Sequence, residues 1–296
     1  MPEGAISLFH PRASYLSLVN KSKNILITGV SSGLGYGAAK ELISRGYRVF
    51  GSVRKEQDAA RVKSELGEKF IPLVFDVTDQ PAVLKAVEEV RQKLNGEGLG
   101  GLINNSGISV TGPLQYLPMD ELRKNFEVNV FGLVQVTQAF LPLLGAQPEA
   151  LSLPGRILNI SSIFGKMAAP YMSPYVGTKH AVEGISDCLR RELMPLGIKV
   201  IIIGPGVVQT PIWEKGSLDL YKNTPYINSL AKFFKKFVAE GKRGMPLDEF
   251  SRRLADIFEN PRPKTRYTIV QGVFVNWILP RILGSKAVDR YYRKLI

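Results

Sequence analysis

The chain has 296 residues, 45% of them hydrophobic and 22% charged, which fits a soluble globular protein with a large core in one or two domains. A single cysteine, Cys188, excludes an internal disulfide and any multi-cysteine metal site, and the two histidines, His10 and His180, lie too far apart in sequence to suggest zinc. Of the formal charge of +13, +9 lies between Leu230 and Ile296, which points to an anionic surface as partner; no helix-turn-helix, zinc-finger or RNA-binding signature supports nucleic acid.

The first 22 residues mix Pro2 and Pro11 with polar residues and show no basic stretch ahead of an apolar core, so they do not read as a secretory signal. They read as an N-terminal extension, in which Ile6, Leu8, Phe9, Tyr15, Leu16 and Leu18 offer an interfacial anchor. From Lys23 onward strands and helices alternate. Apolar runs at 24–27, 47–53, 70–75, 99–103, 156–160 and 199–203 predict strands, and 36–45, 57–66, 82–94, 119–144 and 175–193 predict helices. Residues 82–94 carry Val83, Leu84, Val87, Val90 and Leu94 on one stripe. The alternation predicts βαβ units, hence an α/β fold with a doubly wound parallel sheet. Continuously apolar strands predict helices on both faces. No composition break divides 23–270, so that span reads as one domain, with a surface loop at 147–154 and Cys188 as a buried structural thiol.

Between the first strand and the first helix lies Thr28-Gly29-Val30-Ser31-Ser32-Gly33-Leu34-Gly35. A strand, a glycine turn and a helix in that order set a helix N-terminus, with free N–H groups and the positive end of its dipole, against a phosphate. Gly29 can take backbone angles that other residues avoid. Gly33 and Gly35 remove side chains where a pyrophosphate and a packed strand come close, and Ser31 and Ser32 add hydroxyl donors; an ordinary glycine turn is the competing reading. Later polar segments fall at strand ends, where this class of fold binds ligands. After the third strand, Asp76 in Phe75-Asp76-Val77-Thr78-Asp79 is placed to accept from an adenine amino group, while Thr78 or Asp79 caps the next helix ahead of Pro81. Asn104-Asn105-Ser106-Gly107 follows the fourth strand and Asn159-Ile160-Ser161-Ser162 the fifth. Ser173 reads as an N-cap with Pro174 at the first helical position, which sets Tyr175 and Lys179 one turn apart on one helix face. A neighbouring ammonium favours a phenolate, lowering tyrosine from its ordinary pKa of about 10. That makes Tyr175 a general acid or base near neutral pH, with Ser162 hydrogen-bonding a substrate oxygen. Taken alone, the Tyr–Lys pair reads as a helix-surface contact; its place after the fifth strand of a chain that opens on the glycine turn argues otherwise.

These segments together resemble the short-chain dehydrogenase/reductase family, in its compact single-domain branch with hydroxysteroid- and retinol-type members. The resemblance runs from about 23 to 210, with a fainter echo to about 270. Thr28 to Gly35 matches the family's TGxxxGxG, and Asn104 to Gly107 resembles its NNAG with Ser106 for the usual Ala. Ser162 lies 13 residues before Tyr175, the family interval, and Tyr175-x-x-x-Lys179 matches its active-site pair. Asn129, in Val128-Asn129-Val130-Phe131-Gly132, matches a helix asparagine whose backbone holds a proton-relay water. Gly204 to Thr210 resembles the segment that covers the nicotinamide. The resemblance implies a Rossmann domain over 23–270 with Tyr175 as proton donor or acceptor, Lys179 on the nicotinamide ribose, Ser162 on the substrate carbonyl or alcohol, and Asn129 connecting Lys179 to solvent. It implies cofactor contacts from Thr28, Gly29, Ser31, Ser32, Gly33, Leu34, Gly35, Arg54, Asp76, Val77, Asn105, Ser106, Gly107, Asn129, Tyr175, Lys179, Pro205, Gly206, Val208 and Thr210, and no metal.

At the end of the second strand Val53 stands where NAD users of the family carry Asp, and Arg54 follows; this favours NADP(H) over NAD(H), with a solvated surface arginine as the competing reading. A substrate lid falls at about 211–245, rich in Trp213, Leu218, Leu220, Tyr221, Tyr226, Ile227, Leu230, Phe233, Phe234 and Phe237, with Trp213 as a substrate contact beside Ser162 and Tyr175. Such a lid suits a bulky steroid-, retinoid- or lipid-like alcohol or ketone, although part of it reads equally as core. The tail, 271–296, is apolar but too broken to span a bilayer; it reads first as packing on its own domain or on a dimer partner, and Arg281, Lys286, Arg290, Arg293 and Lys294 fit it to an anionic membrane surface as the alternative. The expectation is thus a cytoplasmic, NADP(H)-dependent oxidoreductase for a hydrophobic secondary alcohol and ketone or an aldehyde, with peripheral contact to a membrane surface through the tail as an open alternative. The resemblance favours a homodimer or homotetramer. An NAD-dependent enzyme of the same family and a silent dinucleotide-sensing scaffold are the alternatives.

Overall fold

A computed structural model describes residues 22–146, 154–211 and 218–293. The apolar runs form parallel strands: β1 (Asn24–Ile27), β2 (Arg48–Val53), β3 (Phe70–Val74), β4 (Gly101–Asn104), β5 (Arg156–Ile160), β6 (Lys199–Pro205) and β7 (Arg266–Ile269). They make one sheet in the order β3-β2-β1-β4-β5-β6-β7. The helices are α1 (Gly33–Ser44), α2 (Glu56–Leu66), α3 (Gln80–Leu94), α4 (Met119–Phe126), α5 (Gly132–Phe140), α6 (Ser173–Glu192), α7 (Ile227–Lys242), α8 (Leu247–Glu259), α9 (Leu279–Ile282) and α10 (Ser285–Arg293). The strand order reverses between β1 and β4, and that switch point opens a crevice at the strands' carboxyl ends.

Alternate residues of each strand point to opposite faces, so two cores form. Ile25 and Ile27 join one with α1, α2 and α8, whereas Leu26 joins the other with α3 and α5. Register fixes where the polar strand ends meet: Ile27 pairs with Gly51 and Ile103, Asn104 with Asn159, and Ile160 with Ile203. A third cluster, Leu117, Tyr221 and Leu230, sits apart from both cores, under α7.

Local details differ from the sequence reading. The 119–144 run is not one helix: a π-helical turn, Glu127–Phe131, separates α4 from α5, and Leu141–Leu144 tightens into a 3-10 turn. Among the described residues this is the stretch long and apolar enough to cross a membrane, yet half of its apolar window is buried, with Val136, Phe140 and Leu144 in the core. Ser173 is the first residue of α6 rather than its cap: Met172 precedes it, and no side chain caps that end. Asp79 does cap α3, accepting from the Ala82 N–H at 3.1 Å. Cys188 is exposed, on a face of α6 turned from the sheet, which corrects its reading as buried. β7 adds a seventh strand, unforeseen because Arg266–Ile269 is short and begins on a charge.

Candidate active site

The glycine turn is built by backbone shape and by close packing. Gly29 and Gly33 have φ of +72° and +62°, in the left-handed region that disfavours side chains. Gly35 answers to packing: a Cβ there would lie 2.3 Å from the Gly29 carbonyl oxygen and 2.4 Å from Asn105 Nδ2. Ser32 precedes α1 in extended conformation and makes no side-chain cap bond, so the first N–H groups of α1 face the crevice. Thr28 Oγ1 accepts from the N–H groups of Asn105 (2.9 Å) and Ser106 (3.0 Å), while Asn105 Nδ2 donates back to the carbonyls of Thr28 and Gly29. This clasp joins the ends of β1 and β4. Ser52, not singled out in the sequence, accepts through its hydroxyl from the Gly29 N–H at 3.0 Å and is buried; a serine inside an otherwise apolar strand was the available signal.

Behind the crevice runs a ladder of buried amides. Asn104 Nδ2 donates to Thr137 Oγ1 and Asn159 Oδ1, both at 2.9 Å, and Asn159 Nδ2 donates to Ser186 Oγ on α6 at 2.8 Å. Asn129 lies in the π-helical turn, buried, its Oδ1 accepting from the Ile108 N–H and its Nδ2 donating to Thr178 Oγ1. A π turn locally re-phases helical hydrogen bonds and is frequent at functional sites. Asn129 therefore locks the Gly107–Ile108 loop against α6, one residue from Lys179.

Lys179 is buried and donates from Nζ to the Ile160 carbonyl at 2.8 Å, with Nζ 5.6 Å from the Tyr175 ring centre. Burial pushes its ammonium down to about 8, and Glu183 partly opposes that shift. Burial also pushes the Tyr175 hydroxyl up, opposed by its hydrogen bond with Ser162. Against the expected lowering of Tyr175, its hydroxyl is raised, with burial the larger influence on it, and the Lys179 ammonium donates to the Ile160 carbonyl. Ser162 Oγ also accepts from the Phe164 N–H at 3.1 Å, which fixes the hydroxyl at the mouth of the β5 end.

One continuous cavity of about 980 Å³ runs from the glycine turn past these groups. Gly29, Ser31, Ser32, Gly33, Leu34, Arg54, Asp76, Val77, Asn105, Ser106, Gly107, Ser162, Tyr175, Lys179, Pro205, Gly206, Val208 and Thr210 all line it. Thr28, Gly35 and Asn129 stand behind the wall and hold it in shape. Asp76 turns its Oδ1 to Thr78, accepting from its N–H and hydroxyl, and so braces the loop. Trp213 lies outside the described residues. The cradle fits a dinucleotide: Gly29 and Gly33 turn the backbone at positive φ into the uncapped N-terminus of α1, a ready phosphate site, while Gly107 and Gly206 pack the wall so closely that a Cβ would come within 3.2 Å of Asn129 Oδ1 and 2.6 Å of Val270.

Beyond Tyr175 the cavity becomes apolar. Phe164, Met167 and Met172 form one side, and Phe233 and Phe237, stacked 5.5 Å apart, form another. Of the predicted lid, Tyr221 and Leu230 are core, Leu220 is exposed, and Phe233 and Phe237 reach the cavity. The remaining wall comes from the tail, through Val275, Leu279, Leu283, Tyr291 and Tyr292. Lys236 Nζ ties α7 to it by donating to the Tyr291 hydroxyl at 3.1 Å. The wall around the apolar end therefore joins segments more than 100 residues apart, a pairing that no local motif announces.

A dinucleotide cradle that opens at a Ser–Tyr–Lys set into an apolar chamber defines an oxidoreductase site. The chain belongs to the short-chain dehydrogenase/reductase family: the family profile described as short chain dehydrogenase matches residues 23–220. It thereby stands among oxidoreductases of CH–OH and keto groups. It is 40% identical over 271 residues to an NADPH-dependent 3-dehydrocapnine reductase from Ornithobacterium rhinotracheale, covering 91% of this chain and 95% of that protein. It is also 40% identical over 214 residues to a mitochondrial D-beta-hydroxybutyrate dehydrogenase from Mus musculus, covering 67% of this chain and 61% of that one. Its fold matches a short-chain dehydrogenase from Streptomyces avermitilis with a TM-score of 0.76 at 25% identity, over 93% of this chain and 97% of the other.

Proposed function

We propose that this protein interconverts a hydrophobic secondary alcohol and its ketone, or an aldehyde, with NADP(H), on a steroid-, retinoid- or lipid-like substrate. The observation that carries this reading is the junction itself: Ser162, Tyr175 and Lys179 line the cavity between the glycine cradle and an aromatic chamber. The cofactor, when bound, supplies or accepts the hydride. In reduction the substrate carbonyl lies against Ser162 Oγ and Tyr175 Oη. Tyr175 gives its proton to the oxygen as charge develops there, and Ser162 donates a second hydrogen bond to it. The buried Lys179 ammonium steadies the phenolate left behind, and one proton taken up from solvent restores Tyr175. Raised by burial, Tyr175 keeps the proton it must give. NADP(H) is supported by the exposed Arg54 and by Lys55 at the cavity edge, both apt for a 2′-phosphate, and by the NADPH dependence stated for the reductase relative.

The test is a ketone series of growing apolar length, read as NADPH oxidation. The reading expects kcat/KM to rise with apolar size until the chamber fills. A flat series, or preference for the smallest polar ketone, refutes it.

The tail supports a second proposal, peripheral contact of a cytoplasmic protein with an anionic lipid surface. Phe274 and Ile282 are 61% and 70% exposed, and Lys286, Arg290 and Arg293 recur at helical spacing along α10. Val275, Leu279 and Leu283 of the same tail line the cavity, so the exposed apolar segment and the chamber wall belong to one stretch of chain. Flotation with anionic liposomes checks it: the protein is expected to rise with them in low salt, and a protein left at the bottom ends the idea.

A further inference from the structure

Glu183 is a buried carboxylate one turn beyond Lys179 on α6, and its partner comes from β7. Arg266 Nε donates to Glu183 Oε2 and Oε1 at 2.9 and 3.1 Å, and Lys166 Nζ stands 3.6 Å from Oε2. Arg266 also donates from Nη2 to the Ser162 carbonyl at 3.3 Å and from Nη1 to Thr268 Oγ1. The backbone makes room for this arrangement. A Cβ at Gly165 would fall 2.8 Å from Glu183 Oε1, and one at Gly204 would fall 2.6 Å from Arg266 Nη2. The guanidinium also lies under the tail: its centre is 4.6 Å from the Trp277 ring centre, and the Arg281 guanidinium lies over the same ring at 4.5 Å. Trp277 lies in the π-helical turn Phe274–Ile278, between Val275 of that turn and Leu279 at the start of α9, both of which line the chamber.

We propose that Arg266 is a positioning residue joining the tail to the catalytic frame, and that Trp277 is the anchor by which the tail becomes the far wall of the substrate chamber. Glu183 aims the guanidinium; the guanidinium holds the Ser162 peptide on the frame and the Trp277 ring on the tail. A planar cation serves all three contacts at once, which an ammonium cannot. A substrate long enough to touch Val275, Leu279 and Leu283 uses the docked wall; a short one does not. The substrate-length arm of this inference rests on the reductase reading above, whereas the docking arm does not.

The experiment is hydrogen exchange on the full chain, paired with kinetics on one short and one long-chain methyl ketone with NADPH. In Trp277→Ala the amides of 273–293 are expected to exchange about tenfold faster, the loss expected for two ring–cation contacts, with the sheet unchanged. KM for the long ketone should rise by a similar factor while the short ketone keeps its kcat/KM. Trp277→Phe should restore most of the protection. Arg266→Lys keeps the charge but should loosen the tail as Trp277→Ala does, and it should also lower kcat for the short ketone, because the Ser162 carbonyl loses its donor. Tail exchange left unchanged in both variants overturns the proposal, as does a Trp277→Ala protein that loses both ketones equally. A wild-type protein that reduces neither ketone counts against the reductase reading alone, and the exchange data still decide the docking.

Discussion

The two ends of the cavity are built by different means. The cofactor end is framed by strand termini whose register is set by the sheet, with Thr28, Asn105, Asn104 and Asn159 clasping neighbouring strands through short side-chain bonds. The substrate end is framed by α7, the segment between β5 and α6, and the tail, joined by the edge-to-face Tyr171–Phe233 contact, one lysine–tyrosine contact and the Arg266–Trp277 pair. The first is held by hydrogen bonds in a fixed lattice of strands. The second rests on apolar and cation–ring contacts between segments that cross the fold. It follows that changes at the first end should affect every substrate, and changes at the second should separate substrates by size.

Leaving aside the proton donor itself, the largest effect is expected at Gly35→Ala. The new methyl would sit 2.3 Å from a backbone carbonyl, a clash with no flexible side chain to yield. Overpacking of this kind costs about 1–3 kcal/mol, so NADPH affinity measured by fluorescence should drop about ten- to a hundredfold, for all substrates alike; an unchanged affinity would contradict the packing role. Arg54→Ala comes next. Removing a charge-assisted phosphate contact of about 1.5–3 kcal/mol should weaken NADPH by roughly tenfold or more while leaving NADH binding alone. Equal dissociation constants for the two cofactors in the unmutated protein would refute the 2′-phosphate assignment. Phe237→Ala tests the other end. Losing one face of the stacked pair should cost long apolar ketones about 1–2 kcal/mol in kcat/KM and leave a short ketone unaffected.

A smaller effect concerns pH. Burial lowers Lys179 to about 8 and raises Tyr175, so with rising pH the ammonium is lost before the phenol. Reduction needs both protons in place. The rate kcat/KM for reduction should therefore hold below about pH 8 and fall above it, the limb belonging to Lys179. A plateau reaching past pH 10 would show that the lysine charge is not needed.

The difference between the two ends also explains how much the sequence revealed. The cofactor end was legible because each piece is local: a glycine turn after an apolar run, an Asn–Asn pair after another, Tyr175 and Lys179 one helical turn apart. The parallel sheet followed from alternation alone. The π-helical turn at Asn129 was hidden because its apolar residues keep a helix-like pattern, so the run read as one helix. Ser173 looked like a cap because serine before proline is a common helix start, yet the helix begins one residue earlier than that reading allowed. The tail was legible as apolar and basic, but not as the far wall of the chamber, since Trp277 meets Arg266, and Arg266 meets Glu183 across 83 residues. No periodicity records such contacts. Lys179 read as the group that lowers Tyr175 because charge was visible in the sequence and burial was not.

Tyr175 is the proposed proton donor at the junction. The most direct measurement compares the wild-type protein with Tyr175→Phe, following NADPH oxidation with an apolar ketone alongside NADPH binding. Turnover is expected to fall by about 10²–10⁴-fold, the contribution of a general acid, with NADPH affinity essentially unchanged. Turnover retained in the variant would contradict the assignment and move the proton transfer to another group.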